Sequence, residues 1–229
     1  MSMGASPFNE HEPRIEGLPI PRSYVKRREV SPETMRILEL TRKLQEQQET
    51  EERLRYLAYH DELTGLPNAR SFSEVFELSA GEAITRNEKL GLVLADIDGL
   101  KYTNDTFGHD KGNELIKSIA DVLKSRSRPE DQIFRLGGDE FAVILPGYDP
   151  DTSKDQTQEQ LDLAISGRYM GHVHQAIEQI GLPLNFVNLS VGAAAVEPHE
   201  SPREFFRRVD GILYSRKPRN DDSRLKPLF

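Results

Sequence analysis

Asp139 and Glu140 directly follow Gly137-Gly138 inside the stretch Phe134-Arg135-Leu136-Gly137-Gly138-Asp139-Glu140-Phe141-Ala142-Val143-Ile144-Leu145. Two apolar strands bent around a glycine pair put acids at the bend. Carboxylates fixed there can hold a hard metal ion, and adjacent glycines let a nucleotide approach the backbone. A further source of acids is Leu92-Val93-Leu94-Ala95-Asp96-Ile97-Asp98, an apolar strand that runs into carboxylates at its C-terminal end, a usual place for a ligand site. Mg²⁺ needs only one or two carboxylates when substrate phosphates and waters complete its shell. Alone, Asp96 and Asp98 read as caps of a surface turn; beside Asp139 on a neighbouring hairpin, the metal reading is the better one. Side chains alternate across a strand, so Asp139 and Glu140 are expected not to share one pocket, Glu140 serving as a supporting ligand or charge partner. Gly99 and Leu100 can offer backbone amides to phosphates, and Lys101 follows at once.

The glycine-acid stretch resembles, letter for letter, the signature loop of the GGDEF family, the diguanylate cyclases, which condense two GTP into cyclic di-GMP. The resemblance implies Mg²⁺, with Mn²⁺ as a substitute, held by Asp96, the Ile97 carbonyl and Asp139. It also implies that Asp139 helps to deprotonate the attacking 3′-hydroxyl, although a metal-bound acid is a poor base, and that Lys101 stabilises the transition state. Tyr214-Ser215-Arg216-Lys217 resembles the family's closing Tyr-x-Ala-Lys, whose lysine reaches the γ-phosphate. The usual spacing to the following Gly-Arg-Asn is compressed to Lys217-Pro218-Arg219-Asn220, which makes Arg219 a candidate second phosphate ligand. Asn104-Asp105-Thr106-Phe107-Gly108-His109-Asp110-Lys111-Gly112-Asn113 resembles the base-binding stretch, in which Asn104, His109 and Asn113 contact substrate. The family most often has Asp where Asn113 stands. A carboxylate accepts from both guanine N1–H and N2–H₂, whereas an amide brings one acceptor and a donor, so guanine is expected to bind with relaxed selectivity. Arg128-Pro129-Glu130-Asp131 resembles the family's product-inhibition site; by itself, Arg-x-x-Asp is a surface ion pair of small value.

The elements that must position these residues can be read from periodicity and breakers. Residues 1–30, with Pro7, Pro13, Pro19 and Pro21, are an irregular arm. Ser31-Pro32-Glu33 opens a helix, and over 31–58 Ile37, Leu40, Leu44, Leu54 and Ala58 fit a heptad seam softened by Gln47 and Glu51. That segment predicts a coiled-coil-like dimerising stalk rather than a helix packed on its own domain. The catalytic domain is expected over 59–229, entered through Asp61-Glu62-Leu63-Thr64-Gly65-Leu66-Pro67-Asn68, which also resembles the family. A helix from near Arg70, a strand at 90–97, a helix at 111–126, a hairpin at 132–146, a helix at 156–180, a strand at 186–196 and a helix at 203–215 follow. Their alternation predicts an α/β (α+β) fold with a mixed central sheet flanked by helices. The resemblance implies a palm-like, ferredoxin-like core.

Composition bounds the rest. At 229 residues, with 36% hydrophobic and 30% charged residues and no cysteine, thiolate nucleophiles, thiolate zinc sites and disulfides are excluded. A formal charge of -8 argues against a nonspecific hold on a nucleic acid polymer. No apolar run reaches bilayer length, so a cytoplasmic protein without a membrane span is expected. The expected activity is therefore a homodimeric diguanylate cyclase, since each domain supplies one GTP, with cyclic di-GMP as product and inhibitor. A separate activating protein at the arm and stalk is the expected regulator. The alternatives are a catalytically inactive cyclic di-GMP receptor, disfavoured because Asp96, Gly137, Gly138, Asp139 and Glu140 are all present, and a synthase using both GTP and ATP, supported by Asn113.

Overall fold

The computed structural model describes residues 14–15, 18–19, 31–148 and 158–217. Two units divide between Glu52 and Arg53. In the first, strands β1 (Arg14–Ile15) and β2 (Leu18–Pro19) pair antiparallel within the segment expected to be irregular. Helix α1 (Pro32–Tyr59) begins at the expected Ser31-Pro32 start and buries none of its residues in a single chain. Its seam residues Ile37, Leu40, Leu44 and Leu54 are more than half exposed.

In the second unit, α2 (Ala69–Arg86) starts at Asn68, whose side chain accepts from the Ser71 N–H, and stops at Asn87 in the left-handed conformation. Then come β3 (Leu90–Asp98), α3 (Leu100–Phe107), α4 (His109–Arg126), β4 (Gln132–Gly137), β5 (Glu140–Pro146), α5 (Gln158–Gln179), β6 (Asn188–Ala195) and α6 (Pro202–Arg216). A Ser201–Glu204 capping box with Pro202 in the first turn opens α6.

The four strands lie in the order β4-β5-β3-β6. The sheet was expected to be mixed, but all three of its pairings are antiparallel. The helical crossovers do make β3 parallel to β4 and β5 parallel to β6. In each case another strand lies between the parallel partners, β5 between β3 and β4 and β3 between β5 and β6, which is the split βαβ arrangement of a ferredoxin-like core.

Alternation along β3 divides the core into two faces. Val93, Ala95 and Ile97 pack with Leu115, Ile119 and Leu123 of α4 and Tyr169, Val173 and Ile177 of α5. Leu90, Leu92 and Leu94 pack with Phe72 and Phe76 of α2 and Phe205, Phe206 and Val209 of α6. Burial of each such side chain is worth about 1.5–3 kcal/mol. With both faces covered, all nine residues of β3 are buried, including the two acids at its end.

Helix α3 was not expected as a separate element. It is eight residues long and ends at Gly108, whose φ of 87° is readily adopted by glycine and starts α4 in a new direction. The short α3, joined by one glycine to α4, therefore precedes the helix expected over 111–126, which begins two residues earlier than expected.

Candidate active site

Asp96 is an even-numbered residue of β3 and is fully buried, directly opposite Glu140 across the β3–β5 ladder. The turn Gly138-Asp139 joins β4 to β5; Gly138 adopts φ 47°, a conformation that costs glycine little. The Ile97 N–H donates to the Asp139 carbonyl at 3.0 Å, which ties this turn to the end of β3. One carboxylate oxygen from each of Asp96, Asp139 and Glu140 lies within 4.8 Å of the others. The expectation that Asp139 and Glu140 point apart is corrected: strand alternation holds within a ladder, and Asp139 belongs to the turn while Glu140 is the first residue of β5.

Lys217, at the end of α6, places Nζ 2.9 Å from Asp96 Oδ2 with both side chains almost fully buried. Asp96 Oδ1 is buried and accepts no hydrogen bond among the described residues. Burial, with Asp139 and Asp98 nearby, raises the Asp96 carboxyl to about 6 despite Lys217. Burial followed by the charges of Asp139 and Asp96 raises Glu140 to about 7. Three converging hard oxygen donors, with a buried Asp96 oxygen that accepts no hydrogen bond among the described residues, fit a hard divalent cation such as Mg²⁺. Among the described residues the cluster contains carboxylates and no thiolate or imidazole, so the donor set suits Mg²⁺ or Mn²⁺ better than softer metals.

The raised values have a consequence for the metal-free protein. The folded state holds protons on Asp96 and Glu140 that an unfolded chain has already released, so folding stability falls as pH rises from about 4 to about 7. The expected result is a thermal midpoint that declines between pH 5 and pH 8 without metal, and a stabilisation by millimolar Mg²⁺ that is larger at pH 8 than at pH 5. Equal Mg²⁺ stabilisation at both values would count against a cation in this cluster.

Gly99 caps α3 at φ 80°, and a Cβ there would overlap the Phe186 carbonyl oxygen. The first-turn amides of α3, Leu100 among them, have no partner inside the helix and can receive an anion. Lys101 is exposed on α3. Asn104, half-buried on α3, lies against Gly112 of α4, one residue before the exposed Asn113; His109 is exposed at the start of α4. Arg219 lies outside the described residues.

The structure separates Arg128 from Asp131 as charges. The Arg128 backbone N–H donates to Asp131 Oδ2 at 2.8 Å, but among the described residues the ion pair to that oxygen comes from Arg168 of α5, at 3.3 Å. Arg168 had no signal in the sequence, being 37 residues away. A second unassigned pair is closer to the signature turn. Arg135 donates to both Asp61 carboxylate oxygens at 2.9 Å and to the Gly138 carbonyl at 2.6 Å. Its place two residues before the glycine pair was visible, but its partner 74 residues upstream was not.

Residues 58–223 match the family model described as diguanylate cyclase, GGDEF domain. The chain is 37% identical over 173 residues to the diguanylate cyclase DgcM of Escherichia coli, covering 75% of this chain and 39% of that protein. It is 36% identical over 163 residues to the diguanylate cyclase DgcP of Pseudomonas aeruginosa, covering 71% and 23%. The chain thus spans about two-fifths or less of the length of these two relatives. Among solved structures, the coiled coil and GGDEF domain of DgcB from Caulobacter crescentus in complex with c-di-GMP superposes with a TM-score of 0.65 at 25% identity, over 81% of this chain and 94% of that one. The diguanylate cyclase SiaD of Pseudomonas aeruginosa, in complex with its activator SiaC, gives a TM-score of 0.54 at 26% identity, over 80% and 69%.

Proposed function

The chain belongs to the GGDEF family of diguanylate cyclases, and from that premise we propose that it condenses two GTP into cyclic di-GMP with release of two pyrophosphates. The observation that carries the reading is the convergence of Asp96, Asp139 and Glu140 within 4.8 Å, beside Lys217 and under a glycine turn. Each 3′-hydroxyl attacks the α-phosphorus of the other nucleotide; the bond to the β-phosphate oxygen breaks, pyrophosphate leaves, and the hydroxyl proton passes to a base or to solvent.

Asp96, the Ile97 carbonyl and Asp139 would hold Mg²⁺, with Glu140 supporting them. When bound, the ion supplies charge to the α-phosphate and to the leaving pyrophosphate. Lys101 and Lys217 add positive charge, the Gly99 and Leu100 amides bind phosphate oxygens, and Gly137-Gly138 lets the nucleotide pass close to the backbone. Asn104, His109 and Asn113 hold the base end. Asp139 would help to receive the hydroxyl proton, and Arg219 would reach a terminal phosphate.

Each domain carries one half-site, so we assign the activity to a homodimer brought together by the exposed seam of α1. Cyclic di-GMP is the proposed inhibitor, bound at Arg128, whose side chain is exposed, and at the turn shaped by Asp131. An activating protein acting on the arm and stalk is supported by similarity to SiaD, which was solved with its activator. A cytoplasmic setting follows from the GTP substrate; among the described residues, no helix is long and apolar enough to cross a membrane.

Purified protein with Mg²⁺ and GTP should yield cyclic di-GMP on chromatography. No product at micromolar enzyme, alone or with an activator, would overturn the reading, and a mixed product with GTP plus ATP would show that Asn113 relaxes base choice. Removal of residues 1–52 keeps the Ala58 and Tyr59 carbonyls that receive Asn68 and Ser71. Specific activity of this truncated form should fall steeply on dilution, by about tenfold or more at nanomolar protein, as dimerisation weakens. Equal activity across the dilution series would remove the stalk from the dimer.

A further inference from the structure

The geometry points to Gly112 as a positioning residue that sets the orientation of the Asn104 carboxamide, and through it the affinity for the nucleotide base. The inference rests on the proposed role of Asn104 in holding substrate. Gly112 is buried in the first half of α4, where α3 packs against it. A Cβ built on Gly112 would overlap Asn104 Oδ1, would stand 2.9 Å from Asn104 Cγ, and would meet Leu100 Cδ1 at 3.3 Å. Among the described residues no hydrogen bond holds the Asn104 carboxamide, and the bare α-carbon of Gly112 leaves open the space that it occupies.

The position is otherwise an ordinary helical one. Its φ is not in the left-handed region, so alanine fits the backbone. In a helix interior alanine is favoured over glycine by propensity. The overlapped atoms are the end of a rotatable side chain rather than backbone. A methyl group there can be accommodated by rotating Asn104, so the fold gains or breaks even while the base contact is lost. Gly112 is thus a site where helix stability favours alanine and orientation of Asn104 favours glycine.

The test is a double-mutant cycle of Gly112→Ala and Asn104→Ala. For Gly112→Ala, the expected result is a KM for GTP raised about tenfold, the size of one lost base hydrogen bond, with kcat changed less than about twofold. Its thermal midpoint should be equal to or above that of the unaltered protein. In the Asn104→Ala background, Gly112→Ala should change KM less than about twofold, because the group it displaces is already gone. Calorimetric binding of 3′-deoxy-GTP, which lacks the attacking hydroxyl, should show the same pattern in Kd and keeps the question open to measurement even where no turnover is found. Absence of turnover in the unaltered protein would count against the cyclase reading, whereas unchanged affinity in Gly112→Ala would count against this one. A lowered thermal midpoint, or an undiminished effect in the Asn104→Ala background, would also overturn it.

Discussion

Replacing Asp96 with Asn is expected to reduce cyclic di-GMP formation by about a thousandfold or more, while leaving the protein folded. Asn keeps the size of the side chain at the end of β3, where Asp96 is 0% exposed, so the packing between α2, α6 and the sheet is kept. What is lost is the negative charge that faces Lys217 and converges with Asp139 and Glu140. The raised value of about 6 for Asp96 shows that burial and its acidic neighbours outweigh Lys217 in the metal-free protein. Removing that charge should therefore leave the metal-free thermal midpoint at pH 8 equal to or above that of the unaltered protein. The stabilisation by Mg²⁺ should largely vanish. Product chromatography and melting with and without Mg²⁺ separate the two effects. Retention of more than about a tenth of the activity would show that the cation does not depend on Asp96.

That prediction was legible in the sequence because its parts are local. An apolar run ending in Asp96-Ile97-Asp98 announces a buried strand with an acid at its end, and Gly137-Gly138 announces a turn. The joint orientation of Asp139 and Glu140 was not legible, since it depends on where the ladder stops, and a shift of one residue reverses a side chain. Helix α3 was missed for a related reason: eight residues with only Leu100 and Thr103 buried carry too short an apolar pattern to stand out from a loop. The antiparallel sheet was hidden because strand-helix alternation specifies which strands are parallel, but not whether a hairpin comes between them. The Asp131–Arg168 and Asp61–Arg135 pairs were hidden because charge complementarity has no spacing rule across a folded chain.

Arg135→Ala is expected to lower both stability and activity, and Arg135→Lys to separate them. Arg135 is almost fully buried, and its fork spans two elements: Asp61, in the turn that follows α1, and the Gly138 carbonyl, in the signature turn. Its own N–H donates to the Pro67 carbonyl at 2.9 Å. Removal of the side chain strips Asp61 of its partner and the Gly138 carbonyl of its donor. Breaking a pair of this kind costs about 2–4 kcal/mol, toward the lower end because Asp61 retains some contact with solvent. Burial pushes the Asp61 carboxyl up, but hydrogen bonds from Thr64 and Arg135 outweigh it and hold the group below the usual range. A depressed acid contributes stability above its unfolded value, near 4, and loses it as pH falls. The acid limb of the stability curve should therefore be shallower in Arg135→Ala. Lysine restores the charge but not the fork, and a single ammonium is poorly shaped to hold Asp61 and Gly138 together. Arg135→Lys should recover much of the stability while activity stays down about tenfold to a hundredfold, because Asp139 is carried by the turn that Gly138 anchors and catalysis is sensitive to displacements near 1 Å. Thermal melting across pH together with initial rates at saturating GTP reads both quantities. Full activity in Arg135→Lys would show that the turn holds its acids without the bridge to Asp61.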